Sequence, residues 1–236
     1  MEKHVFLRTA AAIFMMVAAA LASGGAEAAF NTDLVGQTAV TSFGEMISAL
    51  EFQPAADDAE GVWILSAPDG DAAFWWRKEA KESGLSGEYL CFNADPFIDA
   101  GLDVGKLPME MRMMFEERGN LMAGKKSSKE PPEYDGEMTP VSSFEQIVKL
   151  DRESIGYHAA LDHYGVTVAD GYVFEWAKDM GKNDKDIVFV VDPKIFIDAG
   201  VDPSKVDGWA YAKVPLEDAR GRKFEAYKFL KAFDLK

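Results

Sequence analysis

The most reactive side chains of the sequence lie together in residues 157–164. This stretch contains His158, Asp162 and His163. We predict a helix here, on which His158 and Asp162 would share one face at a spacing of four residues, with His163 beside them. Two imidazoles and a carboxylate are suited to binding a metal ion or to acid–base chemistry. The simpler alternative is a polar helix end that leads into the next strand.

Two aspartates recur in identical surroundings. Asp99 and Asp198 each occupy the third position of the sequence Phe-Ile-Asp-Ala-Gly. If internal symmetry brings them together, they would form paired carboxylates for general acid–base hydrolysis. An acid in a short helix also bonds to neighbouring backbone amides, so a structural role is the simpler interpretation.

Aromatic side chains are concentrated in two predicted strands, and they form the best candidate binding surface. The predicted ligand-binding residues are Trp75, Trp76, Tyr172, Phe174 and Trp176. Consecutive residues of a strand point to opposite faces, so one of the two adjacent tryptophans should be buried and the other available. Such rings can bind a small cationic or aromatic ligand by stacking and cation–π attraction. Packing in the core is the alternative.

These candidates sit inside an internal repeat. Three segments return about 100 residues later: Val40-Thr41-Ser42-Phe43 as Val141-Ser142-Ser143-Phe144, Asp69-Gly70 and Trp75 as Asp170-Gly171 and Trp176, and Phe97–Gly101 as Phe196–Gly200. We therefore predict a tandem duplication of a roughly 100-residue unit.

Each unit has the same predicted elements. A helix begins at a capping box, Ser42–Glu45 in the first copy and Ser143–Gln146 in the second. A hairpin with an Asp-Gly turn, a further strand and a short helix follow. The fold class is therefore α+β, with each unit an antiparallel sheet and flanking helices. The pattern leaves open whether the two sheets merge.

The methionine-rich stretch Met109–Met113 is predicted to be a strand. Its thioethers would suit copper(I), but the corresponding stretch Trp209–Lys213 has no methionine. Both stretches alternate with the period of two that is typical of a half-buried strand. Turns near Arg118-Gly119-Asn120 and Arg220-Gly221-Arg222 would complete a last hairpin in each unit.

The beginning of the chain predicts export. A basic start, the apolar run Thr9–Ala22 and the small residues around Ala28 are typical of a signal peptide, which we assign to residues 1–28. The run is shorter than the roughly 20 residues of a membrane-spanning helix. We expect a periplasmic or secreted protein without stable membrane insertion. The predicted domains are a first repeat at 37–123, a polar linker at 124–140 and a second repeat at 141–236.

Composition narrows the function further. A formal charge of −15 excludes nucleic acid as a partner, because binding it requires an excess of Lys and Arg. Cys91 is the only cysteine, so no internal disulfide can form. The sequence contains no phosphate-binding loop, nucleophile elbow, paired-cysteine motif or HExxH motif.

We therefore predict a non-catalytic extracytoplasmic protein that needs no cofactor and binds a ligand or a protein. The ligand would be small and cationic or aromatic, and the protein partner would belong to the cell envelope. The alternatives are a metal-assisted or carboxylate-based hydrolase and a structural envelope component.

Overall fold

A computed structural model gives the fold of most of the chain. It describes residues 32–50, 54–57, 61–78, 88–124, 136–150, 152–158, 162–180, 186–217 and 223–233. The predicted signal peptide, residues 125–135 of the predicted linker and the predicted turn at residues 220–222 lie outside these ranges. Within them, no helix has the length and apolar character needed to cross a membrane.

The first half of the molecule combines a long helix, a five-stranded sheet and a covering helix. Its elements are α1 (Thr32–Ala49), β1 (Ala55–Asp57), β2 (Val62–Ser66), β3 (Ala72–Arg77), β4 (Glu88–Asn93), α2 (Asp95–Asp99), a 3-10 turn (Val104–Lys106), α3 (Met109–Arg118) and β5 (Asn120–Gly124). The strands are antiparallel in the order β1-β2-β3-β4-β5.

The second half contains a six-stranded antiparallel sheet in the order β10-β11-β9-β8-β7-β6. Its elements are α4 (Pro140–Leu150), a 3-10 turn (Arg152–Ser154), β6 (Ile155–His158), β7 (His163–Ala169), β8 (Tyr172–Ala177), β9 (Ile187–Val191), α5 (Lys194–Asp198), β10 (Ala210–Glu217) and β11 (Lys223–Phe233). Two antiparallel sheets with helices confirm the predicted α+β class.

The two sheets stay separate but share one hydrophobic core, which also receives α1 and α4. Three fully buried phenylalanines of the first half each contact a phenylalanine of the second half. These three phenylalanine pairs are Phe43–Phe144, Phe74–Phe174 and Phe97–Phe196, with ring centroids 3.9, 4.6 and 4.8 Å apart. Each pair joins residues that the repeat places at corresponding or adjacent positions.

The segments that follow α2 and α5 exchange backbone hydrogen bonds. The amide of Asp103 donates to the carbonyl of Ala199 at 2.9 Å, and the amide of Asp202 donates to the carbonyl of Ala100 at 2.8 Å. The two bonds have the same form with the halves exchanged. The repeated Phe-Ile-Asp-Ala-Gly segment therefore joins the two halves.

Gly101 and Gly200 allow this close approach. Their φ angles are +106° and +103°. A Cβ atom on Gly101 would lie 2.9 Å from the carbonyl oxygen of Gly200, and one on Gly200 would lie 3.0 Å from that of Gly101. Only glycine meets both the positive φ and the lack of space.

The predicted strand at Met109–Met113 is wrong, because these residues begin helix α3. Met, Glu and Arg are good helix formers, and their intrinsic preference outweighs the alternation in the sequence. Gly119 ends the helix with φ +72°, and its amide donates to the carbonyl of Phe115. The predicted turn around Gly119 is therefore a helix end.

Both predicted capping boxes are also wrong. Ser42 lies well inside α1, where its hydroxyl accepts from Trp176 Nε1 at 3.1 Å and donates to the carbonyl of Lys178. It satisfies groups of the second half instead of its own helix end.

Helix α4 has its capping box at Thr139 and Ser142, four residues earlier than the predicted box at Ser143 and Gln146. The amide of Ser142 donates to Thr139 Oγ1 at 3.1 Å, and the amide of Thr139 donates to Ser142 Oγ at 2.8 Å. Ser143, the predicted cap, donates its hydroxyl to the carbonyl of Arg77 in the first half.

Both Asp-Gly turns are confirmed, with φ +76° at Gly70 and +84° at Gly171. One more residue separates Gly70 from Trp76 than separates Gly171 from Trp176. The inward-facing partner of Trp176 is consequently Trp76, whereas the sequence repeat matches it with Trp75.

We expect Gly101→Ala to lower the free energy of unfolding by about 2 kcal/mol or more, because the methyl group would meet the carbonyl of Gly200 in a strained backbone conformation. Gly119→Ala is the matched control: its φ is also positive, but nothing lies within 4 Å of the added Cβ. Its cost should stay near about 1 kcal/mol. Urea unfolding of both variants checks the difference. Equal losses would show that the contact between the halves contributes little.

Candidate functional site

Four of the five predicted binding rings lie in the shared core. Trp76, Phe174 and Trp176 are fully buried, and Tyr172 is 7% exposed. The pleat of strands β3 and β8 turns these rings inward, and both tryptophans pack edge-on against Phe43. These four rings therefore pack in the core, which was the alternative to ligand binding.

Trp75 lies on the opposite, outer face of the first sheet and lines a pocket of about 150 Å³. Residues of β2, β3, β4 and β5 form its floor, and helix α3 forms its wall. The lining residues are Val62, Trp75, Arg77, Tyr89, Met114, Glu117, Arg118 and Met122. The pocket thus joins one predicted binding residue to a helix that the sequence did not predict.

Aromatic rings and thioethers make up half of the eight lining residues. Trp75 stands opposite Tyr89 in the β3–β4 ladder, so the two rings share the outer face. Met122 belongs to a small buried cluster with Cys91, against which Trp75 and Met114 pack. The single cysteine is a packed thiol, as the sequence indicated.

Two hydrogen-bond donors of the pocket residues lack an acceptor. Trp75 Nε1 and Arg77 Nε are buried and have no hydrogen-bond partner among the described residues. Both groups can only donate. The charged side chains that line the pocket are Arg77 and Arg118, which are cationic, and Glu117, which is anionic. The site therefore favours a ligand that accepts hydrogen bonds and carries negative charge.

The predicted helix at the histidines is wrong, because β6 and β7 form a hairpin there. His158 pairs with His163 across the ladder. Asp162 lies in the turn at φ +56°, which aspartate tolerates better than most residues. The Tyr157 hydroxyl donates to its carboxylate, and this bond, with burial, raises the pKa of Tyr157 to about 12. Asp162 is thus engaged with Tyr157.

His163 lies instead near Glu175, a residue of β8 that the sequence did not single out. His163 Nδ1 is 3.7 Å from Glu175 Oε2, and both side chains are almost fully buried. Burial raises the pKa of Glu175, while His163 acts in the opposite direction. Among the side chains that the structure describes, no group of three His, Cys, Asp or Glu residues is placed to bind a metal ion.

The repeated aspartates are exposed on α2 and α5. Asp198 forms an ion pair with Lys194 of its own helix rather than with Asp99. Phe97 and Phe196 of the repeated segments pack against each other in the core, and Gly101 and Gly200 approach each other closely outside it. The recurrence of Phe-Ile-Asp-Ala-Gly therefore has a structural cause.

A buried lysine of the second half contacts two aspartates of the first half. Lys231 of β11 is 3% exposed, and its Nζ lies 3.0 Å from Asp71 Oδ2 and 2.5 Å from Asp69 Oδ2. Asn93 Nδ2 also donates to Asp71. Since the lysine is matched by two acids, this cluster stabilises the contact between the halves.

No protein-family model, curated protein or solved structure matches this chain.

We expect Lys231→Met to lower the free energy of unfolding at pH 7 by about 2 kcal/mol, because two charge-assisted contacts are lost while the stem still packs. Partial burial raises the pKa of Asp69, but hydrogen bonds from Lys231 and from backbone amides outweigh burial and keep this pKa below its ordinary value. The stabilisation by ionised Asp69 is fully present above the pKa of the unfolded chain, which is about 4, and is lost as the pH falls through the lower pKa of the folded chain. The difference from wild type should therefore shrink in acid.

Lys213→Met is the matched control, because Lys213 pairs with Glu225 at the exposed surface. Its cost should stay below about 1 kcal/mol. Urea unfolding at pH 7 and at pH 3 compares the two variants. A constant difference for Lys231→Met across this range would contradict the assignment to Asp69 and Asp71.

Proposed function

We propose that this chain is a non-catalytic binding protein that takes a small carboxylate with an aromatic or apolar body into the Trp75 pocket. The two buried donors without an acceptor, Trp75 Nε1 and Arg77 Nε, carry this proposal. A ligand oxygen would satisfy donors that otherwise lose free energy by burial. The rings of Trp75 and Tyr89 would contact the ligand body.

The pocket volume limits the ligand to about one ring. A cavity of about 150 Å³ is large enough for benzene, and typical sites for drug-sized ligands are at least about twice as large. A guanidinium group binds a carboxylate through two parallel hydrogen bonds. The sequence favoured a cationic or aromatic ligand. The rings of Trp75 and Tyr89 still favour an aromatic ligand, whereas the arginines of the pocket favour a negative charge.

Benzoate and benzylamine test this proposal, because they share a ring and differ in the sign of their charge. We expect calorimetry to detect benzoate binding to the wild-type chain and much weaker benzylamine binding. Arg77→Met should raise the benzoate Kd at least about tenfold, since it removes a charge-assisted bond. Trp75→Ala should weaken benzoate binding as well.

Arg112→Met is the matched control, because Arg112 lies on α3 outside the pocket lining and contacts the carbonyl of Gly105. Its benzoate Kd should equal that of wild type. Preferential binding of benzylamine, or equal effects of the two arginine substitutions, would contradict the proposal.

We also propose export with removal of residues 1–28, on the basis of the basic start, the apolar run and the small residues before position 29. Intact-mass measurement of protein from the cell envelope should give a chain that begins at Ala29. Ala28→Arg should leave the precursor uncleaved, because signal peptidase requires a small residue at this position. A full-length chain in the cytosol would contradict export.

The tandem duplication with boundaries at 37–123, 124–140 and 141–236 is part of the same proposal. It is supported by the three phenylalanine pairs and by the exchanged hydrogen bonds after α2 and α5. In a two-fold arrangement, a residue meets its own counterpart only next to the axis. A duplicated unit that packs on itself would place these residues there.

A further inference from the structure

The Trp75 pocket contains a positive and a negative side chain that do not pair with each other. Arg77 and Glu117 both line it. Within the described part of the chain, neither the guanidinium of Arg77 nor the carboxylate of Glu117 forms a salt bridge or a hydrogen bond. An ion pair would bring their nitrogen and oxygen atoms within about 4 Å of each other. A gap therefore separates the two charges in the pocket.

The two charges come from different walls. Arg77 is two residues from Trp75 on β3, so both side chains lie on the outer face of the first sheet. Glu117 is three residues from Met114 on α3, so these two share one face of the helix. Met114 packs against the same buried cluster as Trp75. The sheet thus supplies the cation, and the helix face that turns toward the sheet supplies the anion.

The two charges also differ in their contact with water. Arg77 is half-buried with a fully buried Nε, whereas Glu117 is exposed. A guanidinium group in such a place binds a carboxylate through strong charge-assisted hydrogen bonds. An exposed carboxylate suits an ammonium group, because an ammonium group is strongly hydrated and keeps part of its water at the pocket rim.

We infer that the pocket takes an α-amino acid with one small aromatic or apolar side chain. This inference rests on the proposed function, since it names the class of carboxylate that the pocket binds. The α-carboxylate accepts from Arg77 and from Trp75 Nε1, and the α-ammonium group donates to Glu117. A carboxylate without an ammonium group leaves Glu117 unused, and an amine without a carboxylate leaves the two buried donors unsatisfied.

Phenylacetate and L-phenylglycine test the inference, because they share a ring and a carboxylate and differ only in the α-ammonium group. We expect calorimetry at pH 7 to show that both bind the wild-type chain, and that the Kd of L-phenylglycine is at least about threefold lower. This gain lies within the range of an exposed ion pair. Glu117→Gln should raise the Kd of L-phenylglycine to about that of phenylacetate and leave phenylacetate binding unweakened.

Glu116→Gln is the matched control, because Glu116 is the exposed neighbour of Glu117 on α3 and does not line the pocket. It should bind both ligands like wild type. If phenylacetate binds and L-phenylglycine binds no more tightly, the amino-acid inference is overturned while the proposed function stands. If neither ligand binds, both are overturned. Equal effects of the two glutamate substitutions on L-phenylglycine would also overturn the inference, because they would reflect the overall charge and not a contact.

Discussion

The packing of phenylalanine on phenylalanine between the two halves is the interaction on which the rest of the structure depends. Each ring of the three phenylalanine pairs is fully buried, and each is covered by a ring of the opposite half. With Cys91 as the only cysteine, no internal disulfide can take over part of this task. The two sheets and the two long helices therefore pack around one shared core, and Ser42, Ser143 and Lys231 make polar contacts across the halves.

The sequence predicted the local elements of this fold better than their environment. The Asp-Gly hairpins, the strands that follow them and the short helices are confirmed, because turn chemistry and apolar periodicity are local properties. Helix α3 was missed because the repeat suggested that both copies end alike, while helix propensity acted in only one of them. The inward direction of Trp76 and the outward direction of Trp75 depend on how the sheets pack, which no local pattern encodes. Arg77, Met114 and Glu175 were missed for the same reason.

The structural register relates the Trp75 pocket to the His163–Glu175 pair. Phe74 corresponds to Phe174 and Trp76 to Trp176, so the outward position between them is Trp75 in the first half and Glu175 in the second. The inner positions are constrained by the shared core, where a change of volume would disturb both halves. The outer position lies outside this shared core. It carries a ring beside a pocket in one half and a buried acid beside a histidine in the other.

The two halves also differ in the elements that follow α2 and α5. In the first half, α3 lies over the outer face and supplies Met114 and Arg118 to the pocket, whereas in the second half β10 and β11 extend the sheet. The charge of −15 does not prevent an anion from binding beside Arg77, because salt at physiological strength screens exposed charges beyond about 8 Å. The charged residues of the pocket lining are Arg77, Arg118 and Glu117. Since α3 supplies both Arg118 and Glu117, whose formal charges cancel, Arg77 of β3 sets the sign of the charge that the pocket favours.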